Sequence, residues 1–261
     1  MSTTNPVTTS TNVNSLSIPG HKYSVRIAQT REKIEEALRL RFDVFNIELG
    51  EGLDSSFKNK MDEDEYDAQC HHLIVVENAS DRVIGTYRMQ DNAMADSGNG
   101  FYTQSEFDVS KFPDQVVENV VELGRACIHL DHRSGRVLYL LWRGLAKYLM
   151  LSQKRYLFGC CSITSQNPAE GEAVYQYLQD QDYLSTDYSI PVQDAFECLK
   201  FAKNYNYDEE VKLPQLFRLY MDIGVKVCSK PALDSTFKTI DYLILLDIET
   251  LSEQSKTLFF K

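Results

Sequence analysis

The chain has 261 residues, enough for one large domain with a substantial core or for a domain with an appendage. Hydrophobic residues make up 43% and charged residues 25%, and a net charge of −11 argues against a general nucleic-acid binder, because the phosphate backbone would repel it. The six cysteines (Cys70, Cys127, Cys160, Cys161, Cys198 and Cys228) show no CxxC or disulfide-framework spacing, which points to reduced thiols in a cytoplasmic protein.

Residues 1–20 are rich in Ser, Thr, Asn and Pro and lack both the positive start and the apolar run of a signal peptide, so they read as a disordered leader. No apolar run reaches the roughly 18–20 residues of a membrane span. Residues 23–28 read as a first strand. Thr30 is the N-cap candidate of a helix in which Ile34, Ala37, Leu38, Arg41 and Phe45 form one stripe, ended by Gly50. Arg41 is thus a cation on an apolar face. The acidic run Asp62-Glu63-Asp64-Glu65-Tyr66-Asp67 reads as a solvated loop.

Strands over 72–77 and 82–90 follow, joined by the turn Asn78-Ala79-Ser80-Asp81, and alternation puts Arg88 on the face of Ile84. Residues 91–115 read as a loop. A third strand over 116–129 carries Glu122 and Arg125, with Gly124 marking a bulge. Ser134-Gly135 open a helix striped by Val137, Leu140, Leu141, Gly144, Leu145 and Tyr148. A strand over 156–163 comes next, then a helix from Pro168 to about Asp180. The 182–212 segment has no readable order; a helix near 214–223 and an apolar strand over 240–248 close the pattern. The result is an α+β chain on a mostly antiparallel sheet flanked by helices. Residues 21–251 form its domain, with a C-terminal extension from about 182 and a tail at 252–261.

Four charges lie in segments that otherwise read as core: Arg41, Arg88, Glu122 and Arg125. A lone buried charge is costly, whereas a set of both signs can pair. The set is either an ion-pair network that orients the sheet or a polar pocket in an apolar cleft. From His132 to Arg155 there are six cations (Arg133, Arg136, Arg143, Lys147, Lys154, Arg155) and no Asp or Glu. The head of this island coincides with the helix start, where free N–H groups and the dipole favour a phosphate. A solvated amphipathic helix is the plainer alternative.

The segments Leu40-Arg41-Phe42-Asp43-Val44-Phe45, Asp64-Glu65-Tyr66-Asp67, Gly85-Thr86-Tyr87-Arg88 and Glu122-Leu123-Gly124-Arg125 resemble, in order, a branch of the GNAT superfamily. That branch holds acyl-homoserine-lactone synthases and the ornithine-lipid (hemolysin-like) N-acyltransferases. Where the lactone synthases place a Trp, this chain has Glu51. The run from His132 to Ala146 and the distal Leu213-Pro214, Lys230-Pro231-Ala232-Leu233-Asp234 and Asp241-Tyr242 look like the ornithine-lipid branch. The glycine-rich pyrophosphate loop of acetyl-CoA enzymes is not reproduced, which favours an acyl carrier as donor.

The resemblance implies a GNAT-like (acyl-CoA N-acyltransferase) fold and transfer of a (3-hydroxy)fatty acyl group from acyl carrier protein to the α-amine of an amino acid, ornithine first. This would be the opening step of aminolipid synthesis, without a resident cofactor or metal, in the cytoplasm or peripherally on the inner face of the membrane. It implies a thioester held between splayed strands, Glu122 as base, and Arg125 and Arg41 holding it. Asp64, Asp67, Arg88 and Phe45 would bind the acceptor, while Arg133, Gly135 and Arg136 grip the phosphopantetheine. Alternatives are another amino acid as acceptor, a lactone synthase, or a non-catalytic module that docks a carrier. Cys160-Cys161 with His71-His72 could suggest a thiol nucleophile, although apolar-strand cysteines are usually core. His71-His72 lacks the ligand spacing of a metal site.

Overall fold

The computed structural model describes residues 13–133, 135–202 and 210–260. Leu16 is buried and β1 (Ser17–Ile18) pairs with β2 (Tyr23–Ile27), so residues 16–18 of the stretch that read as leader belong to the fold. Two apolar residues in a Ser/Thr-rich context leave too short a pattern to recognise. Residues 1–12 of that leader lie outside the described residues.

The Thr30 hydroxyl accepts the Lys33 N–H and caps α1 (Arg31–Phe42). Beyond Phe42 the helix widens into a π-helical stretch, Asp43–Leu49, and ends on Gly50 at φ 70°. β3 (His71–Glu77) and β4 (Arg82–Asp91) follow in antiparallel register, with His72 opposite Arg88. The expected 91–115 loop instead carries α2 (Asn92–Ser97) and two 3-10 turns, and its Phe101, Phe107 and Phe112 form part of a second buried cluster. Those aromatics are spaced too irregularly to show a period. α3 (Asp114–Val117) then occupies the start of the expected third strand, leaving β5 as Val120–Ile128.

α4 (Gly135–Ser152) leads to β6 (Tyr156–Ile163), and α5 (Pro168–Asp180) has Asn167 as cap. Ser134 lies outside the described residues, so the exact opening of α4 does too. The segment without readable order is tied down by isolated bridges, Leu184 to Val227 and Ile190 to Ser229, and holds α6 (Leu199–Ala202). α7 (Gln215–Asp222), β7 (Lys226–Val227), β8 (Ala232–Asp234), β9 (Thr239–Asp247) and α8 (Glu253–Phe260) complete the chain. The tail is thus helical, and Phe259 packs 5.4 Å from the Trp142 ring.

Among the described residues the strands form one nine-stranded sheet in the order β1-β2-β3-β4-β5-β6-β9-β7, with β8 also on β9. Every pair is antiparallel except β5–β6, whose ends α4 connects as a crossover. α4 packs Val137, Leu141 and Leu145 into the cluster containing Val25, Leu73 and Val75. Gly144 lets the helix approach: a Cβ there would sit 2.7 Å from Leu73. α1 packs Ala37 and Leu40 with Ile74 and Val83 in a separate cluster. β5 and β6 are paired only from Val120–Glu122 against Tyr156–Phe158, and each runs on for several residues unpaired with the other. That divergence positions the site.

Candidate active site

Three arginines and three aspartates meet beneath α1. Arg41 is fully buried; its Nε donates to Asp62 at 2.7 Å, and Nη1 and Nη2 reach the two Asp67 oxygens at 2.6 and 3.1 Å. Arg88 on β4 donates to Asp64 at 2.5 Å. Arg125 on β5 lies 3.3 Å from Asp62 and 3.1 Å from Asp64. The 62–67 segment is therefore the anionic half of an internal lattice rather than a solvated loop. Its backbone is anchored too, since the Asp62 N–H donates to the Leu38 carbonyl. Burial pushes the Asp62 and Asp67 carboxyls up, but the facing arginines outweigh it and hold both below the usual carboxylate range.

The expected Glu122–Arg125 pair does not form. Glu122 Oε2 accepts from Gln90 Nε2 at 2.6 Å and from the Tyr102 N–H at 3.1 Å, while Oε1 accepts the Thr103 N–H at 2.7 Å. Gln90 is itself held by Gln69. The bulge lies one residue beyond Gly124: Arg125 has φ 51°, and the β4–β5 register shifts between Thr86 and Arg88. This turn sends the Arg125 guanidinium between the rings of Tyr102 and Phe237, 4.8 and 4.2 Å from their centroids.

Two cavities flank the divergence. The first, about 280 Å³, is lined by Glu122, Arg125, Arg88, Glu51, Asp241 and the β6 residues Cys160–Ser162. The second, about 240 Å³, is mostly apolar and runs along Cys127 and Ile128 to Arg133, Gly135 and Leu138 at the start of α4. Phe45, Leu49, Tyr87, Ala126 and Leu216 line both, so the two share a wall. A chamber that holds a cluster of charged side chains thus adjoins one whose polar lining is confined to its mouth, at the opening of a sheet. Comparisons with known proteins bear on the fold and the class of enzyme. The acetyltransferase (GNAT) domain family matches residues 40–143. An L-ornithine N(alpha)-acyltransferase of Rhodobacter capsulatus is 28% identical over 91% of this chain and 94% of its own length. One from Brucella abortus is 29% identical over 88% and 86%. The crystal structure of FeeM, an N-acyl amino acid synthase from uncultured soil microbes, superposes with a TM-score of 0.52, at 10% identity, over 90% of this chain and 98% of that one. The chain is a GNAT-fold acyltransferase.

In the acyltransferase the basic island is largely consumed by internal contacts. Arg133 forms a two-pronged pair with Glu48, Lys147 donates to the Ser17 carbonyl, Lys154 to Asn92 and the Glu118 carbonyl, and Arg155 to Asp247. Arg136 is exposed. Cys161 is buried in the core and Cys160 is half-buried on the wall of the first cavity; burial holds both well above the usual thiol range, and the Cys160 thiol donates to Glu106 at 3.7 Å. His71 contacts Tyr148 and His72 contacts the Asp67 carbonyl, so neither serves a cysteine; burial lowers His72 to about 4. No helix among the described residues is long and apolar enough to cross a membrane.

Sequence reasoning missed Gln90, Tyr102, Glu106, Asp234 and Asp241 as site residues, and noted Glu51 only as a departure. Asp241 carried the one available signal, a carboxylate inside a strongly apolar strand. Glu106 and Tyr102 sit in an irregular segment where no periodicity points to a face.

Proposed function

We propose that the acyltransferase moves a (3-hydroxy)fatty acyl group from acyl carrier protein to the α-amine of ornithine, giving an N-acyl amino acid for aminolipid synthesis. The observation that carries this reading is the shared wall of the two cavities, because direct transfer needs an acyl thioester and an amine to meet at one opening. The similarity to L-ornithine N(alpha)-acyltransferases supports ornithine as the acceptor.

The apolar cavity is the donor side. Its lining suits a pantetheine arm and the start of an acyl chain, with Gly135 at the head of α4 and Arg133 at the mouth. Arg136, exposed beside them, is available for the carrier's acidic surface. The cavity that holds Glu122, Arg125, Arg88, Glu51 and Asp241 is the acceptor side. Glu122 accepts a single hydrogen bond on Oε1, which leaves a lone pair to take the amine's proton directly or through a water. Arg125 Nη1 makes no hydrogen bond among the described residues, while Nη2 is spent on Asp64, so Nη1 is the natural anchor for the acceptor's carboxylate.

Arg41, Arg88, Asp64 and Asp67 then act at one remove, as the lattice that fixes Arg125. Phe45, on the shared wall and 5.5 Å from Phe237, separates the two reactants until they meet. The exposed Ile47 and Leu49 beside the opening suit contact with a bilayer surface from the cytoplasmic side. The test is to incubate the full chain with 3-hydroxyacyl carrier protein and mixed amino acids, then identify products by mass spectrometry. N-acyl-ornithine is expected; acylation from acyl-CoA but never from the carrier would overturn the donor assignment.

A further inference from the structure

The acceptor cavity carries more negative charge than its arginines can balance. Arg41, Arg88 and Arg125 are matched one for one by Asp62, Asp64 and Asp67. Beyond that set, Asp241 and Glu51 line the cavity, and Glu106 and Asp234 stand behind Asp241. One oxygen from each of Glu106, Asp234 and Asp241 falls within 4.8 Å of the others. None of the ion pairs among the described residues reaches any of these four carboxyls; the nearest lysine on the same turn, Lys238, pairs with Asp54 instead.

Two of the oxygens also lack a partner outside the cluster. Glu106 Oε2 and Asp241 Oδ1 are buried, at 0% and 3% residue exposure, and meet no donor except a proton shared between the two carboxyls themselves. The remaining Asp241 oxygen takes the Thr239 hydroxyl, and Asp234 Oδ1 takes the Thr236 and Phe237 N–H groups. Carboxyls this close cannot all ionise unless a proton or a cation lies among them. Without a ligand, a proton serves: burial pushes Asp241 up to about 6 and Glu51 up to about 7.

We propose that Asp241, with Glu106, Asp234 and Glu51, forms a subsite for the side-chain ammonium of a diamino acid, and so selects ornithine over neutral amino acids. This rests on the reading of the cavity as the acceptor site. An ammonium is a compact point charge with three donors, which suits three converging carboxyl oxygens better than a planar guanidinium would. The same molecule's carboxylate would lie on Arg125, which leaves the α-amine between the two anchors, toward Glu122. A site that pairs a buried charge rejects an analogue lacking it, because its own polar groups are then left alone.

The test compares ornithine with 2-aminopentanoate, the same carbon chain without the second amine, as acceptors for the full chain. The wild type is expected to prefer ornithine in kcat/KM by about 10²-fold or more. In Asp241→Asn and, separately, Glu51→Gln, that ratio is expected to collapse toward unity, chiefly through KM for ornithine. Because the readout is a ratio within one preparation, partial loss of folded protein cancels. An unchanged ratio in both variants would overturn the subsite. Equal use of the two acceptors by wild type would do the same while leaving the acyltransfer reading intact; acylation of neither would remove that reading itself. Activity with ornithine that EDTA abolishes and Mg²⁺ or Mn²⁺ restores would assign the carboxyls to a metal instead.

Discussion

Arg41→Met removes a charge from the buried lattice while keeping most of the side-chain volume. The wild-type set is neutral, three guanidinium groups against three carboxylates, and the variant leaves one unbalanced negative charge. Three short hydrogen bonds disappear, to Asp62 at 2.7 Å and to Asp67 at 2.6 and 3.1 Å. Charge-assisted bonds contribute roughly 1.5–3 kcal/mol each. The desolvation of Arg41 that the variant avoids offsets part of this, so the net cost falls near the 3–5 kcal/mol typical of a broken buried pair, or about 6–20 °C in Tm. Asp62 Oδ1 already lacks a partner, so little slack remains there. Adding Asp67→Asn restores neutrality and should recover at least about 1.5 kcal/mol, a coupling that denaturant and thermal melts of the four proteins would read. A single variant within about 1 kcal/mol of wild type, or strictly additive variants, would refute the lattice.

Gly159→Ala should cost about 3 kcal/mol, because a Cβ there would stand 2.2 Å from the Leu123 carbonyl oxygen, whereas Gly124→Ala meets nothing within 4 Å and should cost under about 1 kcal/mol; urea melts distinguish them. Glu51 is held protonated by burial, with a pKa of about 7 against an ordinary 4.5, so its folded form binds the extra proton. Its contribution is therefore fully present below about pH 4.5 and lost as pH rises to about 7; relative to wild type, Glu51→Gln should gain about 3 kcal/mol between those limits, and a flat difference would contradict the shift. Arg133→Glu should raise KM for the acyl carrier about tenfold or more, since it sets two carboxylates, its own and that of Glu48, at the donor mouth; an unchanged KM would remove Arg133 from that side.

Long periodic elements were legible in the sequence. The α1 stripe, its Thr30 cap, β6, α5 and β9 emerge within a residue or so of their expected limits, because each repeats its period over enough residues to specify a face. The four charges that read as out of place are indeed buried, but their partners were not legible. An odd step along a strand sends Glu122 and Arg125 to different neighbours, and the left-handed backbone at Arg125 re-aims its side chain further. The donors to Glu122 are backbone N–H groups of residues 102 and 103, which every sequence possesses, so no pattern could announce them. The Asp62–Asp67 run read as solvated for a related reason: an acidic loop looks the same whether water or buried guanidinium groups face it. Asp234, Asp241 and Glu106 converge from two distant segments, and only the tertiary fold brings them together.

The most direct measurement is the single-turnover rate of Glu122→Gln with acyl carrier protein and ornithine, at a temperature where circular dichroism shows the variant folded. Glutamine turns an NH₂ toward donors that Glu122 now satisfies, so some loss of stability accompanies the change and must be separated from rate. A fall of about 10²–10⁴-fold in the folded variant is the expected result for a base in the acceptor cavity. A rate within tenfold of wild type would show that Glu122 only braces the 102–103 backbone, and that the proton leaves the amine by another route.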